Sequence, residues 1–350
     1  MRAQAAGIFG ILANAARNYP KICVLRDMFA KIAYAGDIQQ RFRSPQERAM
    51  NKALGQFSDQ AAPADAPRAP AFLVTLYGDV VEPRGGTLWM GSLIECCAMH
   101  GLSESLVRTA VSRLVGAGRL EGMRIGRKSY YRLSDAARDE FREASRLLFL
   151  PPPITEDWLF CLTETPQEAD LPAPWVRLSP NVAIAPNRED VAPIDGVMMR
   201  ARQLDGCGDL RSLAWEKWGL DKVSQIYEMF LERHRGLQER LDGDVVLSPE
   251  EALAFRLRLV HDYRHAALGD PRLPLECYPP EWPAEQARRL FVTIYVGLSD
   301  LADTCVGQSF LNDDGALLAH NVETERRVFQ LKREIAAWDE YRLLTKHYTF

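Results

Sequence analysis

The sequence predicts a mainly α-helical chain with α+β parts, and three observations carry that prediction. Apolar residues recur at helical spacing through the segments 71–115 and 210–338. Two stretches, 119–133 and 157–204, alternate or cluster β-branched and aromatic residues in the manner of strands. Proline-rich breaks at 58–70 and at Pro151-Pro152-Pro153 divide the chain into pieces, because neither can continue a helix or bury much surface.

Taken in order, Ala71 to Val81 reads as a first helix and Met90 to Met99 as a second. Gly101-Leu102 turns the chain, and Ser103 caps a third helix from Glu104 to about Val115. In that helix Val107, Ala110, Val111 and Leu114 occupy the inner face. Ser105, Arg108, Thr109 and Ser112 project outward at i, i+3, i+4 and i+7. Short hydroxyls let a backbone approach a duplex, and a guanidinium can pair bidentately with guanine or clamp a phosphate. Gly116-Ala117-Gly118 ends the helix. The runs 119–125 and 129–133 then alternate as two strands around Gly126-Arg127-Lys128, and Ser134 caps a further helix through Phe149.

From Ser103 to Leu133 there are seven basic residues (Arg108, Arg113, Arg119, Arg124, Arg127, Lys128 and Arg132) against two acidic ones, Glu104 and Glu121. The whole chain of 350 residues has a formal net charge of -4, so this is a local basic surface. Helix, turn, helix and basic hairpin in that order predict a winged helix-turn-helix that binds double-stranded DNA.

Later helices have readable ends. Ser248-Pro249-Glu250-Glu251 combines a capping serine, a proline at the first helical position and a glutamate three residues after the cap. Leu253, Leu257 and Val260 follow on one face, and Gly269-Asp270-Pro271 stops the helix. Ala287, Leu290, Ile294, Leu298 and Leu301 form a second stripe, and Val328, Leu331, Ile335 and Trp338 a third. The expected divisions are an extension with a linker over 1–69, the DNA-binding domain over 70–150, a middle domain over 151–220, a helical domain over 221–306 and a tail with an amphipathic helix over 307–350.

Other signals set bounds. The seven cysteines are dispersed without C-x-x-C spacing, which fits reduced thiols in a cytoplasmic protein. The first fifteen residues carry a faint signal-peptide outline, with an amphipathic helix and a start at or near Met50 as the other readings. No apolar run approaches the roughly 18 residues of a membrane span. Gly122 to Ser129 is one residue short of a phosphate loop and runs into a tyrosine-rich strand. His261 and His265 stand at i, i+4 around Asp262 but lack the glutamate of the H-E-x-x-H pattern, so no metal site is expected.

Two stretches resemble the PaaX-type repressors of phenylacetic acid degradation. The first runs Phe72-Leu-Val-Thr-Leu-Tyr-Gly-Asp, Pro83-Arg-Gly-Gly, Leu88-Trp-Met-Gly-Ser-Leu, Val107-Arg-Thr-Ala-Val-Ser-Arg-Leu and Gly126-Arg-Lys-Ser-Tyr-Tyr-Arg-Leu. The second is Leu259-Val-His-Asp-Tyr-Arg, Asp270-Pro-Arg-Leu-Pro, Glu281-Trp-Pro and Leu290-Phe-Val-Thr-Ile-Tyr. A poorer middle match, Leu178-Ser-Pro-Asn-Val, extends coverage from about 70 to 306. The resemblance implies an N-terminal winged helix, a ferredoxin-like middle domain and a helical C-terminal domain. Here the middle domain is expected to be reduced, because the proline-broken connection 164–175 is too short for the family's helix.

The resemblance further implies a homodimer on a palindromic operator, with Arg108, Thr109, Ser112 and Arg113 on the recognition helix and Arg127 and Lys128 on the wing. Arg124 joins the predicted DNA-contacting set, as does Ser105. An aryl-CoA thioester, phenylacetyl-CoA in the best-known case, is the implied effector that releases DNA; no cofactor, catalytic residue or membrane partner is expected. Such a ligand needs cations beside aromatic surface, which makes Arg200, Arg202, Trp215, Lys217, Trp218, His261, Tyr263 and Arg264 candidates. The alternative reading is a CoA-thioester or metal-dependent hydrolase built around His261, Asp262 and His265.

Overall fold

The computed structural model describes residues 66–346 apart from 154, 156, 165–170, 203–207 and 244–245. The N-terminal extension, Met50 and most of the linker, with Cys23, Cys207 and part of the 164–175 connection, lie outside the described residues. In chain order the elements are α1 (Ala69–Leu76), β1 (Thr87–Trp89), α2 (Met90–Ala98), α3 (Glu104–Gly116), β2 (Leu120–Ile125), β3 (Lys128–Leu133) and α4 (Asp135–Phe149). Then come β4 (Trp158–Leu162), β5 (Val176–Ser179), β6 (Val182–Pro186), β7 (Val197–Ala201) and α5 (Leu210–Trp218). The long helices α6 (Leu220–Leu241), α7 (Pro249–Gly269), α8 (Ala284–Ser309) and α9 (Val322–Lys346) complete the chain. The protein is mostly helical, with two small antiparallel sheets among the described residues.

Two compact units emerge, and neither is a continuous stretch. Of the described residues, the first takes those of 151–228 and 265–285; the second takes 66–150, 229–264 and 286 onward.

In the first unit β4 to β7 form an antiparallel sheet in the order β5-β6-β4-β7. One apolar cluster joins Trp158 and Ile184 to Ala214, Leu220, Leu273, Cys277 and Tyr278. Another gathers Cys161, Trp175, Ala183, Ala185 and Val191. Alternation along β4 produces this: Trp158 and Phe160 pack with the first cluster, Leu159 and Cys161 with the second. No helix occurs in the described residues of 163–175 or in 187–196. Asp270 is buried where the Tyr227 and Tyr278 hydroxyls donate to it at 3.0 and 2.9 Å.

In the second unit α1 is the central element. Phe72, Leu73 and Leu76 are fully buried. The predicted single helix over 71–81 instead widens to a π-helical segment at Tyr77–Val81 and tightens to a 3-10 turn at Glu82–Arg84. Pro83 has no N–H to offer the preceding turns, so carbonyls there find side-chain partners. Arg327 donates to the carbonyls of Gly78 at 3.4 Å and Asp79 at 3.1 Å, and Arg84 donates to that of Val80 at 3.1 Å. The Val81 carbonyl accepts from Gly86 N–H. Each helix-end acceptor is thereby satisfied.

The same turn carries a buried ion network. Asp79 Oδ2 lies 3.0 Å from Arg256 Nε, and Asp79 Oδ1 accepts from the Tyr295 hydroxyl at 2.7 Å and from Arg327 at 3.1 Å. Arg256 donates onward to Asp303 at 2.6 Å, and Arg84 donates to the same oxygen at 2.7 Å. Burial works against the charge on Arg256, but Asp79, Tyr295 and Asp303 more than offset it. The tyrosine responds in kind: burial and the Asp79 carboxylate push Tyr295 up to about 12.

Aromatic rings fill the space beside this network. Tyr263 stacks on Phe291 at 4.1 Å, and Phe149 meets the edge of Tyr295 at 5.2 Å. The predicted cap of α7 is present in both directions: Glu251 N–H donates to Ser248 Oγ, and Ser248 N–H donates to the Glu251 carboxylate. Leu253, Leu257 and Val260 are buried as expected, whereas Leu301 of the second stripe is 38% exposed. The seven-residue spacing from Ala287 to Ile294 to Leu301 rotates by about 20° per heptad around a straight helix and so drifts off the core face. α8 is also long and apolar enough to pass for a membrane span, against the expectation that no run approached that length. Its Leu290, Phe291, Val292, Ile294 and Leu298 are core residues of the second unit. The segment read as a tail is built in as well, through Arg327 and through Glu334, which pairs with Arg288 at 2.7 Å.

Replacing Asp79 by Asn should remove the charge that Arg256 and Arg327 share in the core and cost about 3–5 kcal/mol, read as a lower urea midpoint. A second expectation concerns His100, which is 6% exposed, lies 4.3 Å from the Phe72 ring and has an Nε2 without a hydrogen-bond partner among the described residues. Burial, helped by the Arg258 charge and opposed by Asp262, pushes its pKa down from 6.5 to about 4. The unfolded chain therefore takes up this proton first as pH falls. The contribution to stability is complete above about pH 6.5 and declines toward about pH 4, by up to about 3 kcal/mol. Urea titrations at about pH 7 and about pH 4.5 should show that decline, and His100→Phe should flatten it.

Candidate nucleic-acid interface

The orientation of α3 follows from its buried side. Val107, Ala110, Val111 and Leu114 are in the core of the second unit, which turns Ser105, Arg108, Thr109, Ser112 and Arg113 to solvent. Ser103 caps the helix by accepting from Leu106 N–H at 3.4 Å. On the outer side the hydroxyls are short and partly folded back. Thr109 donates to the Ser105 carbonyl at 2.8 Å, and the Ser103 and Ser105 hydroxyls lie 3.1 Å apart. The result is a low, polar helix surface over which Arg108 stands.

Beside it, β2 and β3 form a hairpin in register from Leu120↔Leu133 to Ile125↔Lys128, so Gly126 and Arg127 make a two-residue turn. Gly126 takes φ +60°, the first-position requirement of such a turn that a Cβ would strain. Arg124 Nε donates to the Gly126 carbonyl at 3.2 Å, bracing the tip. A short strand the sequence reading did not anticipate, β1, pairs with β3 and completes a three-stranded sheet. It brings the Trp89 indole beneath Lys128, whose ammonium lies 4.8 Å from the ring centroid. The indole lies where a Cβ on Gly91 would be, at 2.3 Å, so only glycine leaves room for it. The Thr-Leu-Trp run was the available signal for β1, but three residues are too few to read as a strand.

The seven cations of this region divide into two groups. Arg108, Arg119 and Arg132 are engaged by Glu104, Glu140 and Glu121. Arg113, Arg124, Arg127 and Lys128 are exposed, and no carboxylate of the described residues pairs with them. All eight predicted DNA-contacting residues thus belong to one continuous α3–hairpin segment and are solvent-accessible. What the sequence reading passed over is Glu104, counted there only as a charge against the patch. Its position four residues before Arg108 was the signal for a pair.

The effector candidates do not form one set. Arg200, Arg202, Trp215, Lys217 and Trp218 belong to the first unit; His261, Tyr263 and Arg264 to the second. Arg202 contacts Asp157 at 3.2 Å, Lys217 contacts Glu216 at 3.0 Å, and Arg200 and Trp215 are exposed. Trp218 donates through its indole N–H to the Pro174 carbonyl at 2.7 Å and packs on Trp158. In the second unit His261 Nδ1 lies 3.0 Å from Thr75 Oγ1, and Tyr263 stacks on Phe291. Arg264 donates to the Ala71 carbonyl at 3.1 Å, with burial lowering it to about 9.

Asp262, the acid of the hydrolase reading, is ringed by donors: the guanidinium groups of Arg233 and Arg258 and the His234 ring reach it at 2.9–3.0 Å. Burial would raise its carboxyl, but these groups hold it well below the usual range. Among the described residues no group of three or more His, Cys, Asp and Glu is placed to hold a metal ion.

Comparison with known proteins follows the same segments. The family model "PaaX-like protein" matches residues 68–137, and "PaaX-like protein C-terminal domain" matches 218–308. The Transcriptional repressor PaaX of Escherichia coli (strain K12) is 30% identical over 286 residues, covering 73% of this chain and 90% of that protein. Among solved structures, the uncharacterized protein Rv0674 from Mycobacterium tuberculosis aligns over 67% of this chain and 98% of its own with a TM-score of 0.43 and 20% identity. By its identity to the Escherichia coli repressor over nearly that protein's whole length, the chain belongs to the PaaX-like family.

Proposed function

We propose that this protein is a DNA-binding transcriptional repressor of the winged helix-turn-helix type. The observation that carries the reading is the low hydroxyl face of α3 beside four cations that have no carboxylate partner within the described residues. A helix of this kind enters the major groove, and a basic hairpin tip reaches the flanking phosphates. Arg108 reads a base edge. Arg113, Arg124, Arg127 and Lys128 supply the sequence-independent attraction, with Lys128 held in place by Trp89. Membership of the PaaX-like family and likeness to a protein named as a repressor support the same conclusion.

The finer reading is a homodimer on a palindrome whose half-sites are one helical turn apart, about 34 Å. It controls an aromatic, phenylacetate-type catabolic operon and leaves DNA when an aryl-CoA thioester binds. Such a ligand acts only through its preference for the DNA-incompetent state. The strand order of the first unit's sheet, with its outer and inner strands as in a split β-α-β arrangement, supports reading that unit as a reduced ferredoxin-like domain.

Gel shifts on the promoter upstream of the protein's own operon test the core claim. Arg127→Ala and Lys128→Ala should each weaken binding to all sequences alike and lower the slope of log affinity against log salt by about 1. Arg108→Ala should cost about 1–3 kcal/mol on the preferred duplex and much less on random DNA. Calorimetric titration with phenylacetyl-CoA should give saturable binding that reduces affinity for the promoter; its absence removes the effector assignment and leaves DNA binding intact.

A further inference from the structure

An acidic side chain on a surface that approaches phosphates lowers affinity for every duplex, so its presence in the first turn of α3 calls for a physical account. Glu104 is the first residue of that helix and is 58% exposed. Its Oε1 accepts from both Nε and one terminal nitrogen of Arg108, each at 2.7 Å, and Arg108 is itself 56% exposed. An exposed pair of this spacing contributes little to stability.

Its geometry does something else. The carboxylate occupies the Nε–NH2 edge of the guanidinium and leaves the NH1–NH2 edge open, pointing the arginine with one bidentate face unspent. No described residue pairs with Glu104 Oε2, which remains an acceptor. The neighbouring Thr109 hydroxyl is turned back onto the Ser105 carbonyl and the Ser105 hydroxyl lies against that of Ser103, so the two long charged side chains are the tallest polar features of this turn. The first turn of a recognition helix is the part that meets base edges.

We propose that Glu104 is a specificity-determining residue: the Glu104–Arg108 pair reads one G·C base pair as a unit. The open edge of Arg108 donates to guanine O6 and N7, and Glu104 Oε2 accepts from the cytosine N4 amino group. Arginine alone would also settle on phosphate. A carboxylate locked to it repels phosphate and cancels its charge, so the pair gains nothing from the backbone and binds only where a donor and two acceptors lie together in the major groove. This inference rests on the proposed DNA-binding function.

The test uses full-length protein and a random-sequence duplex library, with wild type, Glu104→Gln and Glu104→Ala compared after thermal melts show that all three fold. Wild type should enrich a motif containing a G·C pair, and changing that pair to A·T in the enriched duplex should weaken binding roughly tenfold or more. Both variants should bind all duplexes more tightly, with a salt slope steeper by about 1, while the G·C preference shrinks to a few-fold. If the variants retain the wild-type preference at every position, Glu104 is only a helix-surface partner and the inference fails. If wild type enriches no sequence, the DNA-reading function fails and takes this inference with it.

Discussion

Asp79 and Asp303, both buried, hold three guanidinium groups, those of the buried Arg84 and Arg256 and the part-buried Arg327. These residues come from five places in the chain: the π-helical turn after α1, the 3-10 turn that follows it, and α7, α8 and α9. An apolar core of equal volume would hold the helices together as well. The charges restrict how they are held. Any other register leaves a carboxylate or a guanidinium without a partner, at a cost of several kcal/mol. Since α2 and α3 pack on α1, the placement of α3 is referred to this network. The tyrosine hydroxyl of Tyr77, donating to the Tyr131 carbonyl at 3.0 Å, extends the same reference to the hairpin.

The protein treats its arginines in opposite ways according to where they lie. Inside the second unit they are saturated: Arg84 alone makes four hydrogen bonds, and Arg288 is shared between Glu334 and the Leu148 carbonyl. On the hairpin they are left with donors to spare. That contrast separates saturated from uncommitted cations more sharply than composition does, because a net charge of -4 conceals both. It also makes the exposed pair Glu104–Arg108 conspicuous, as the one carboxylate–arginine pair built within the outer surface of α3.

Local features were legible in the residues themselves. The capping serines at 103, 134 and 248, the glycine turn at 126 and the inner stripe of α3 all depend on interactions within a few residues, and all are present. Features that needed distant partners were not. Nothing near Asp79 announces Arg256 or Arg327, and nothing near His261 announces Thr75, 186 residues away. Leu301 fit the apolar period of α8 but falls off the core face, since periodicity fixes spacing and not the width of the face that is covered.

By itself the sequence determined the order of helix, hairpin and helix between 103 and 149, the side of α3 that faces outward and the concentration of positive charge at the hairpin, because each is a matter of short-range spacing and backbone chemistry. Only the tertiary structure decided which cations stay uncommitted, where the C-terminal helix inserts its arginine and how the units are assembled from separated stretches of chain. Those are settled by the pairing of buried charges and the filling of space between segments remote in sequence, and no local pattern encodes either.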